Sequence, residues 1–512
     1  MNISDPENND DLSDKDETDD NIDFECEEET SRATTFASSY EYIKVQSQNL
    51  IHPKHFIRQS SSIISEQLPA TPTGWMALLS LVTSCGLTYE LQLQKSLTCP
   101  PLVYAQLSSS PSIKDIYEQM TVTPESLLRR PIQPSLLVGT RAYAASTAAY
   151  LGGAPAHNDT YGRFREIMTL PMDGATVALD WELPPGVTEE QVRQQIPKPV
   201  VLVIHGINNH ANFGYVRSMV RACTMRGWIA AGFNMRGCGG LALTTPRGYN
   251  AAYTGDIRGV VQQLSARLRG APLFLVGNSL SASLVTKYLG EEGLCGTLPD
   301  CVAGGAALGN PVSIDSRHMS LIFSPLLALG VKKSILEQWS ALQQIKEPYF
   351  LSCIRRAMLA VTLAEFDSAM APIMIRNDPV YPFSARVGFK NGHSYWNDAS
   401  SYRLIRFVSV PMMQLIASDD FLVYKAFQGR LAYCLANPNV MIVESKCGGH
   451  LGWHEAPPRN YGLGKSWADA ATTEFIDVVF KSFEKRKSNK PGGLEFKERD
   501  TVLSATVPRS KL

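Results

Sequence analysis

This 512-residue sequence has few closely spaced cysteines, no long apolar run and almost no net charge. The ten cysteines include no CxxC pair and no framework spacing, so we expect a reducing compartment. The longest apolar run, residues 75–87, falls short of the roughly 20 residues that span a bilayer, so we expect a buried or membrane-surface helix there. The formal net charge of −1 gives no reason to expect a nucleic-acid partner.

The charge is distributed unevenly along the chain. Residues 1–30 hold 14 acidic residues and a single base, Lys15, so the remainder carries a net charge of +12 (−1 + 13). Because a stretch so poor in apolar residues cannot offset the entropy of ordering it, residues 1–35 are predicted to be a disordered acidic tail. Such a start is also the reverse of a secretory signal peptide.

The last three residues are Ser510, Lys511 and Leu512, preceded by a polar segment. This tripeptide is a peroxisomal address read by an import receptor. We therefore expect residues 486–512 to form a linker and targeting tail, with the peroxisome or glycosome as the destination.

From about residue 160 short apolar runs alternate with helical stretches, a pattern typical of a parallel sheet covered by helices. Residues 36–150 are predicted to be a partly helical N-terminal extension, and residues 151–485 the main domain. The runs expected to form strands are 177–185, 199–206, 228–234, 272–278, 301–308, 411–418 and 439–445. Helices are expected at 212–226, 251–269, 280–291 and 465–485. The fold class is therefore α/β, with a doubly wound, mostly parallel sheet.

The alternation of strands and helices stops between the strand candidates 301–308 and 411–418. Residues 311–400 contain a long apolar segment of helical character and interrupt the strand and helix rhythm. We expect this stretch to form an inserted cap over the carboxyl ends of the strands, where such sheets bind ligands.

One strand candidate runs directly into a serine. In "LFLVGNSLSAS", residues 273–283, an apolar run ends at Gly277, and helical spacing resumes after Ser279. A nucleophilic serine on a strained strand-to-helix turn requires this context and small neighbours two residues before and after it. Ser281 stands at the second position, where the usual pattern has glycine.

Such a serine needs a base and a carboxylate, in the chain order Ser, acid, His. Asp419 and Asp420 follow the strand candidate 411–418, and His450 follows the next one. We favour Asp420, which is followed by two apolar residues, with Asp419 as the alternative. His454 is a weaker candidate for the base.

Backbone N–H groups must also stabilise the oxyanion. The spacing assigns these donors to Leu280, directly after the serine, and to Ile207, in the loop after an earlier strand. His205, at the end of that strand, is expected to be structural, since no later residue completes a triad with it.

These motifs together resemble the α/β-hydrolases, in particular the YheT-like branch that includes the abhydrolase-domain proteins 1, 2 and 3. The resemblance covers about residues 160–485 and rests on "HGINNHANFGYVRSMV", "GFNMRGCGGLALTTPRGYNAAYTGDIRGVV", "VGNSLSASLVTKYLGEEG", "SYWNDASS", "ASDDFLV" and "GGHLGW". It implies an α/β-hydrolase fold and a Ser279, Asp420 and His450 triad acting on lipid or carboxylic esters.

Two further motifs are expected to be structural. His393 and Asp398 have the H-x-x-x-x-D spacing of some acyltransferases, but the string is short and a structural role is expected. The segment "NMRGCGG" lacks the lysine and Ser/Thr of a phosphate-binding loop and is expected to be a tight turn.

The sequence thus predicts a peroxisomal serine esterase or lipase that cleaves carboxylic esters of fatty acids. Neither a metal nor an organic cofactor is required by this chemistry. The expected partners are an acyl-ester substrate, the import receptor and, at the apolar run, a membrane surface. Two alternatives stay open: an acyl-CoA thioesterase, and a non-catalytic lipid-binding member of the fold.

Overall fold

The structure is a computed structural model that describes a large part of the chain. The described residues are 72–106, 111–152, 155, 160–268, 270–378, 384–456 and 466–488. Two units are distinguished, residues 1–79 and 80–512, and of the first only residues 72–79 are described. The predicted acidic tail and the predicted targeting tripeptide lie outside the described residues.

A nine-stranded sheet forms the centre of the second unit. Its strands are β1 (Leu102–Ala105), β2 (Gly162–Thr169), β3 (Thr176–Leu183), β4 (Val200–Ile204), β5 (Ile229–Asn234), β6 (Leu273–Asn278), β7 (Val302–Leu308), β10 (Met412–Ala417) and β11 (Val440–Ser445). Their order across the sheet is β1-β11-β10-β7-β6-β4-β5-β3-β2. Neighbours from β11 to β5 pair in parallel, and only β1, β2 and β3 pair antiparallel. The predicted doubly wound, mostly parallel sheet is confirmed.

Both faces of the sheet are buried, which explains why its central strands are almost entirely apolar. In β4, Val200, Leu202 and Ile204 belong to one apolar cluster, whereas Val201 and Val203 belong to another. Because side chains alternate along a strand, the two clusters lie on opposite faces of the sheet.

Each cluster is completed by helices. On the face of Val200 these are α6 (Gly255–Arg267) and α7 (Leu280–Cys295). The opposite face is covered by α2 (Pro111–Thr121), α5 (Gly214–Met225) and α15 (Trp467–Ser488). A short helix, α4 (Glu189–Gln194), packs its Val192 into the first cluster and begins at a capping box on Thr188.

The part of the chain before the sheet contains two more helices, α1 (Pro72–Leu97) and α3 (Ala142–Leu151). Residues 75–87 fall within α1, but Leu81, Val82 and Leu87 are exposed. The prediction of a helix is confirmed there, and the alternative that it is buried is wrong. Among the described residues, no helix has the length and apolar character needed to cross a bilayer.

Between β7 and β10 the chain leaves the sheet. This stretch contains α8 (Phe323–Glu337), α9 (Trp339–Leu342), α10 (Phe350–Leu359), α11 (Leu363–Met370), the hairpin β8 (Ile375–Asn377) and β9 (Ala385–Val387), and α12 (Gly392–Ala399). Its helices share an apolar core of their own around Ile335, Phe350 and Phe366. We call residues 311–400 the cap. Two short helices, α13 (Tyr424–Gln428) and α14 (Leu431–Leu435), follow β10.

Candidate active site

Ser279 occupies the turn between β6 and α7 in a strained conformation. Its backbone has φ 55° and ψ −120°, a region that L-residues rarely adopt. A Cβ on Gly277 would collide with the backbone carbonyl of Ser281, and one on Gly206 would approach the Ser279 Cβ to 3.1 Å. The turn therefore needs glycine at both places to bring its serine to the end of the sheet.

A histidine and a carboxylate complete a hydrogen-bonded chain with this serine. His450 Nε2 lies 2.8 Å from Ser279 Oγ, and His450 Nδ1 lies 2.8 Å from Asp420 Oδ2. All three side chains are at most 8% exposed. The three residues follow β6, β10 and β11, whose carboxyl ends meet at one edge of the sheet, so the sequence order and the spatial arrangement agree.

Asp419, the alternative acid, contacts the histidine loop differently. Its Oδ1 accepts a hydrogen bond from the Gly449 N–H at 2.7 Å, so it contacts the backbone beside His450. Burial, together with the neighbouring Asp420 charge, raises the pKa of Asp419 to about 6. The second oxygen of Asp420, Oδ1, accepts hydrogen bonds from the N–H groups of Leu422 and Val423.

The loop that carries His450 is held by helix α3 of the N-terminal extension. The His450 N–H donates to Ser146 Oγ at 2.7 Å. Gly449 and Gly452 pack so closely on α3 that a Cβ on either would collide with the carbonyl of Ala142 or Ala145. Sequence reasoning missed this support, because α3 carries no motif and lies some 300 residues from the loop in the chain.

The two residues expected to supply the oxyanion donors lie at the same cavity. Ile207 and Leu280 both line the same cavity as the serine. The N–H groups flanking Ile207 are occupied, since Gly206 donates to the Tyr215 hydroxyl and Asn208 to the Tyr249 hydroxyl. Neither Ile207 nor Leu280 donates its N–H to another residue in the described part of the chain.

Ser281 fits the turn in spite of replacing the usual glycine. Its side chain is fully buried, and its hydroxyl donates a hydrogen bond to the His205 carbonyl at the end of β4. The serine thereby connects the first turn of α7 to the strand end that precedes Ile207. The motif alone did not predict this contact, which joins residues on two different strand-to-loop turns.

A large cavity opens at Ser279. Its volume is about 1050 Å³, and it extends between the sheet edge and the cap. Its wall is mostly apolar and includes the cap residues Leu327, Val331 and Phe366. The Asp367 carboxyl group also lines it and accepts hydrogen bonds from Ser316 Oγ at 2.5 Å and Trp396 Nε1 at 2.9 Å. Burial raises the pKa of Asp367 to about 6.

Two other histidines singled out from the sequence lie apart from this chain of hydrogen bonds. His205 is fully buried, with Nδ1 2.7 Å from the Gly206 carbonyl oxygen and Nε2 accepting from the Met235 N–H at 3.3 Å. Burial lowers its pKa to about 4. His454 lines a separate, much smaller cavity, and burial lowers its pKa as well.

The H-x-x-x-x-D motif and the segment "NMRGCGG" lie away from Ser279, His450 and Asp420 in the hydrogen-bond network. Asp398 lies 3.7 Å from the buried Lys287 ammonium, while His393 is exposed. In "NMRGCGG", three glycines have positive φ, and the buried Arg236 forms ion pairs with Asp256 and Asp173. The second segment is therefore a tight turn held by a buried arginine.

The sheet order, the strained serine after β6 and the hydrogen-bonded His450 and Asp420 beyond later strands define the α/β-hydrolase class. The family model described as "Serine aminopeptidase, S33" matches residues 195–455, just over half of the chain. The chain belongs to this family of the α/β-hydrolase superfamily.

Three characterised relatives share extended similarity with the chain. Embryogenesis-associated protein EMB8 of Picea glauca is 27% identical over 334 residues, which cover 62% of this chain and 66% of that protein. Monoacylglycerol lipase of Saccharomyces cerevisiae is 31% identical over 291 residues, covering 55% and 59%. Phospholipase ABHD3 of Mus musculus is 26% identical over 328 residues, covering 63% and 71%. The resemblance to abhydrolase-domain proteins is confirmed. The chain spans less than two thirds of the length of the first two relatives.

Proposed function

We propose that the chain hydrolyses carboxylic esters of fatty acids through Ser279, His450 and Asp420. The observation that carries this proposal is the hydrogen-bonded chain of these residues at the wall of a large, mostly apolar cavity. An apolar wall accommodates an acyl chain, and the few polar groups beside Ser279 suit the ester bond.

In the first half of the reaction, Ser279 Oγ attacks the carbonyl carbon of the ester. The hydroxyl proton passes to His450 Nε2, and the carbonyl oxygen becomes an oxyanion facing the Ile207 and Leu280 N–H groups. Asp420 holds the His450 ring through Nδ1 and stabilises its positive charge. The bond to the alcohol then breaks, His450 returns the proton to the leaving alcohol, and an acyl-enzyme remains.

Water completes the second half of the reaction. His450 removes a proton from a water molecule, whose oxygen attacks the acyl carbonyl carbon. The bond between this carbon and Ser279 Oγ breaks, and the serine regains its proton from His450. The products are a fatty acid and an alcohol. None of these steps calls for a metal or an organic cofactor, so the independence of the reaction from cofactors stays a prediction.

Acylglycerols are the substrates that we favour. This choice is supported by the names of two relatives, a monoacylglycerol lipase and a phospholipase. It is also consistent with the predominantly apolar wall of the cavity.

Turnover of matched substrates tests the proposal. Purified wild type and Ser279→Ala are compared on monoacylglycerols, phosphatidylcholine and acyl-CoA of the same acyl length. We expect the wild type to release fatty acid from the oxygen esters and the variant to lose about 10³-fold or more of that activity. Hydrolysis of acyl-CoA alone would favour the thioesterase, and equal activity of both proteins would overturn the role of Ser279.

We also propose that Ser510, Lys511 and Leu512 direct the chain to peroxisomes or glycosomes. The support is the tripeptide itself, whose recognition depends on a receptor. A fluorescent reporter ending in residues 501–512 is expected to enter these organelles, and the same reporter without Leu512 is expected to stay outside. Identical distributions of the two reporters would refute this address.

A further inference from the structure

Helix α8 of the cap is apolar on two of its faces. Leu327, Val331 and Ile335 point to the catalytic cavity, where they form part of the wall. Another set of large apolar residues on and just before this helix is exposed: Leu321, Ile322, Leu326, Leu329 and Leu336. From Ile322 onwards the set is spaced by four, three and seven residues, so its members lie along one side of the helix.

A second segment of the cap extends this exposed surface. The Lys332 ammonium donates to the Ala360 carbonyl, and the Leu363 N–H donates to Ser324 Oγ at 2.9 Å. Residues 359–363 therefore run beside α8, with Leu359 and Val361 exposed. We call the combined surface the outer cap face; it consists of Leu321, Ile322, Leu326, Leu329, Leu336, Leu359 and Val361.

The outer cap face is too apolar to be explained by chance exposure. Leu321 is 88% exposed and Leu359 is 74% exposed, and the residues adjoin one another instead of being scattered. Single exposed leucines are ordinary, whereas adjoining ones mark a surface that contacts a partner or a membrane.

The charges around this face distinguish between these partners. Residues 321–361 contain five basic and two acidic residues. The acids are occupied, since Glu337 lies 3.5 Å from Lys333 and Glu347 pairs with Arg247 at 2.7 Å. Arg355, Arg356 and Lys346 remain exposed. A second copy of the chain would oppose like charges in a two-fold contact, whereas an anionic lipid surface complements them.

We propose that the outer cap face is a docking surface for membranes that contain anionic lipids. Its leucines and isoleucine enter the boundary between headgroups and acyl chains, and the surrounding bases contact the headgroups. One helix then carries membrane-contacting residues on one side and cavity-lining residues on the other. This inference is independent of whether Ser279 is the nucleophile.

Vesicle co-sedimentation of the full chain tests the docking surface. Wild type is compared with a variant that combines Ile322→Gln, Leu326→Gln, Leu329→Gln and Leu359→Gln. The matched control combines Leu137→Gln, Leu151→Gln, Ile167→Gln and Leu294→Gln, which alters four exposed apolar residues outside the cap. The vesicles consist of phosphatidylcholine with or without phosphatidylserine.

Wild type and control are expected to bind the phosphatidylserine vesicles, and the cap variant to bind them about tenfold or more weakly. Replacing Lys346, Arg355 and Arg356 by glutamine should remove the preference for phosphatidylserine. Turnover of a soluble short-chain ester by the cap variant should equal that of wild type, because the altered residues are exposed and lie outside the cavity. If wild type hydrolyses no ester but binds vesicles in this pattern, the docking surface stands and the hydrolase proposal fails.

Three results would overturn the docking surface. The first is equal vesicle binding by wild type and the cap variant. The second is binding that is lost only when Leu81, Leu87 and Leu91 of α1 are replaced by glutamine, which would place the contact on that helix. The third is a wild-type dimer in light scattering that becomes a monomer in the cap variant, which would make the face a contact between copies.

Discussion

At the scale of single residues, Ser281 shows how a departure from a motif can be compensated. Its hydroxyl occupies space that the usual glycine leaves empty, and it donates to a carbonyl at the end of the neighbouring strand. The missing glycine would be costly only if the side chain had no partner. The buried hydrogen bond supplies one, so the turn and the loop of Ile207 are linked directly.

Replacing this serine tests the link. Ser281→Ala is expected to lower the free energy of unfolding by about 1–2 kcal/mol, because the buried His205 carbonyl loses its donor. Ser281→Gly should cost more, since glycine also adds flexibility in the first turn of α7. Denaturant unfolding and turnover of a soluble ester measure both effects. A glycine variant that is more active and equally stable would show that the hydrogen bond has no such role.

The adjacent aspartates are expected to respond very differently to the same substitution. Asp420→Asn should lower kcat by about 10³–10⁴-fold, because the amide no longer favours the His450 tautomer that accepts the serine proton. Asp419→Asn keeps an acceptor for the Gly449 N–H and should lower kcat less than about tenfold. Steady-state kinetics on one soluble ester compares the two variants, and the opposite ranking would assign the triad acid to Asp419.

At the scale of elements, α3 supports the proposed active site although it carries none of the proposed catalytic residues. Ser146→Ala removes the acceptor of the buried His450 N–H and is expected to lower kcat several-fold while KM changes little, because Ser146 does not line the cavity. Thr147→Ala, an exposed position on the same helix, is the control. If both variants had wild-type kcat, the loop of His450 would not depend on α3.

Helices α5 and α15 meet at a buried carboxyl group whose charge is costly. Asp469 accepts from Ser218 Oγ at 2.5 Å, and burial raises its pKa to about 7 from a usual value near 3.8. The folded state therefore binds this proton more tightly than the unfolded state. The resulting stabilisation is complete below about pH 4 and is lost as the pH rises through about 7.

Asp469→Asn removes this loss and should make the protein more stable than wild type at pH 8. The expected gain is about 2–4 kcal/mol in the free energy of unfolding, and the two proteins should have similar stability at pH 4. Denaturant titrations at both pH values measure the difference. A gain of the same size at pH 4 would show that the charge is not its cause.

The central elements were predictable and the edges were not. All seven predicted strands are present. Six were predicted from nearly continuous apolar runs, which burial on both faces favours, and 177–185 was predicted from its alternation. The edge strands β1 and β2 were missed, since β1 has four residues and β2 alternates exposed and partly buried ones. A strand of four residues, or one with many exposed polar positions, has too few apolar residues to be recognised from a local pattern.

At the scale of the whole molecule, the features that could not be predicted from the sequence are contacts between residues far apart in the chain. Ser279, Asp420 and His450 were singled out because each follows a strand, and parallel strands end at one edge of a sheet. The cap was also expected over these strand ends, and its residues line the cavity at Ser279. The contact of Ser146 with the histidine loop, by contrast, depends on tertiary packing that no local pattern encodes. The same holds for the outer cap face, which joins two segments about 35 residues apart.

The most direct test of the hydrolase proposal is labelling by a fluorophosphonate, which modifies activated serines. We expect intact-protein mass spectrometry to show one added phosphonyl group on wild type, with peptide mapping to Ser279. Ser279→Ala should remain unlabelled, and His450→Ala should react far more slowly because the serine loses its base. Equal labelling of wild type and Ser279→Ala, or modification mapped to another residue, would contradict the account.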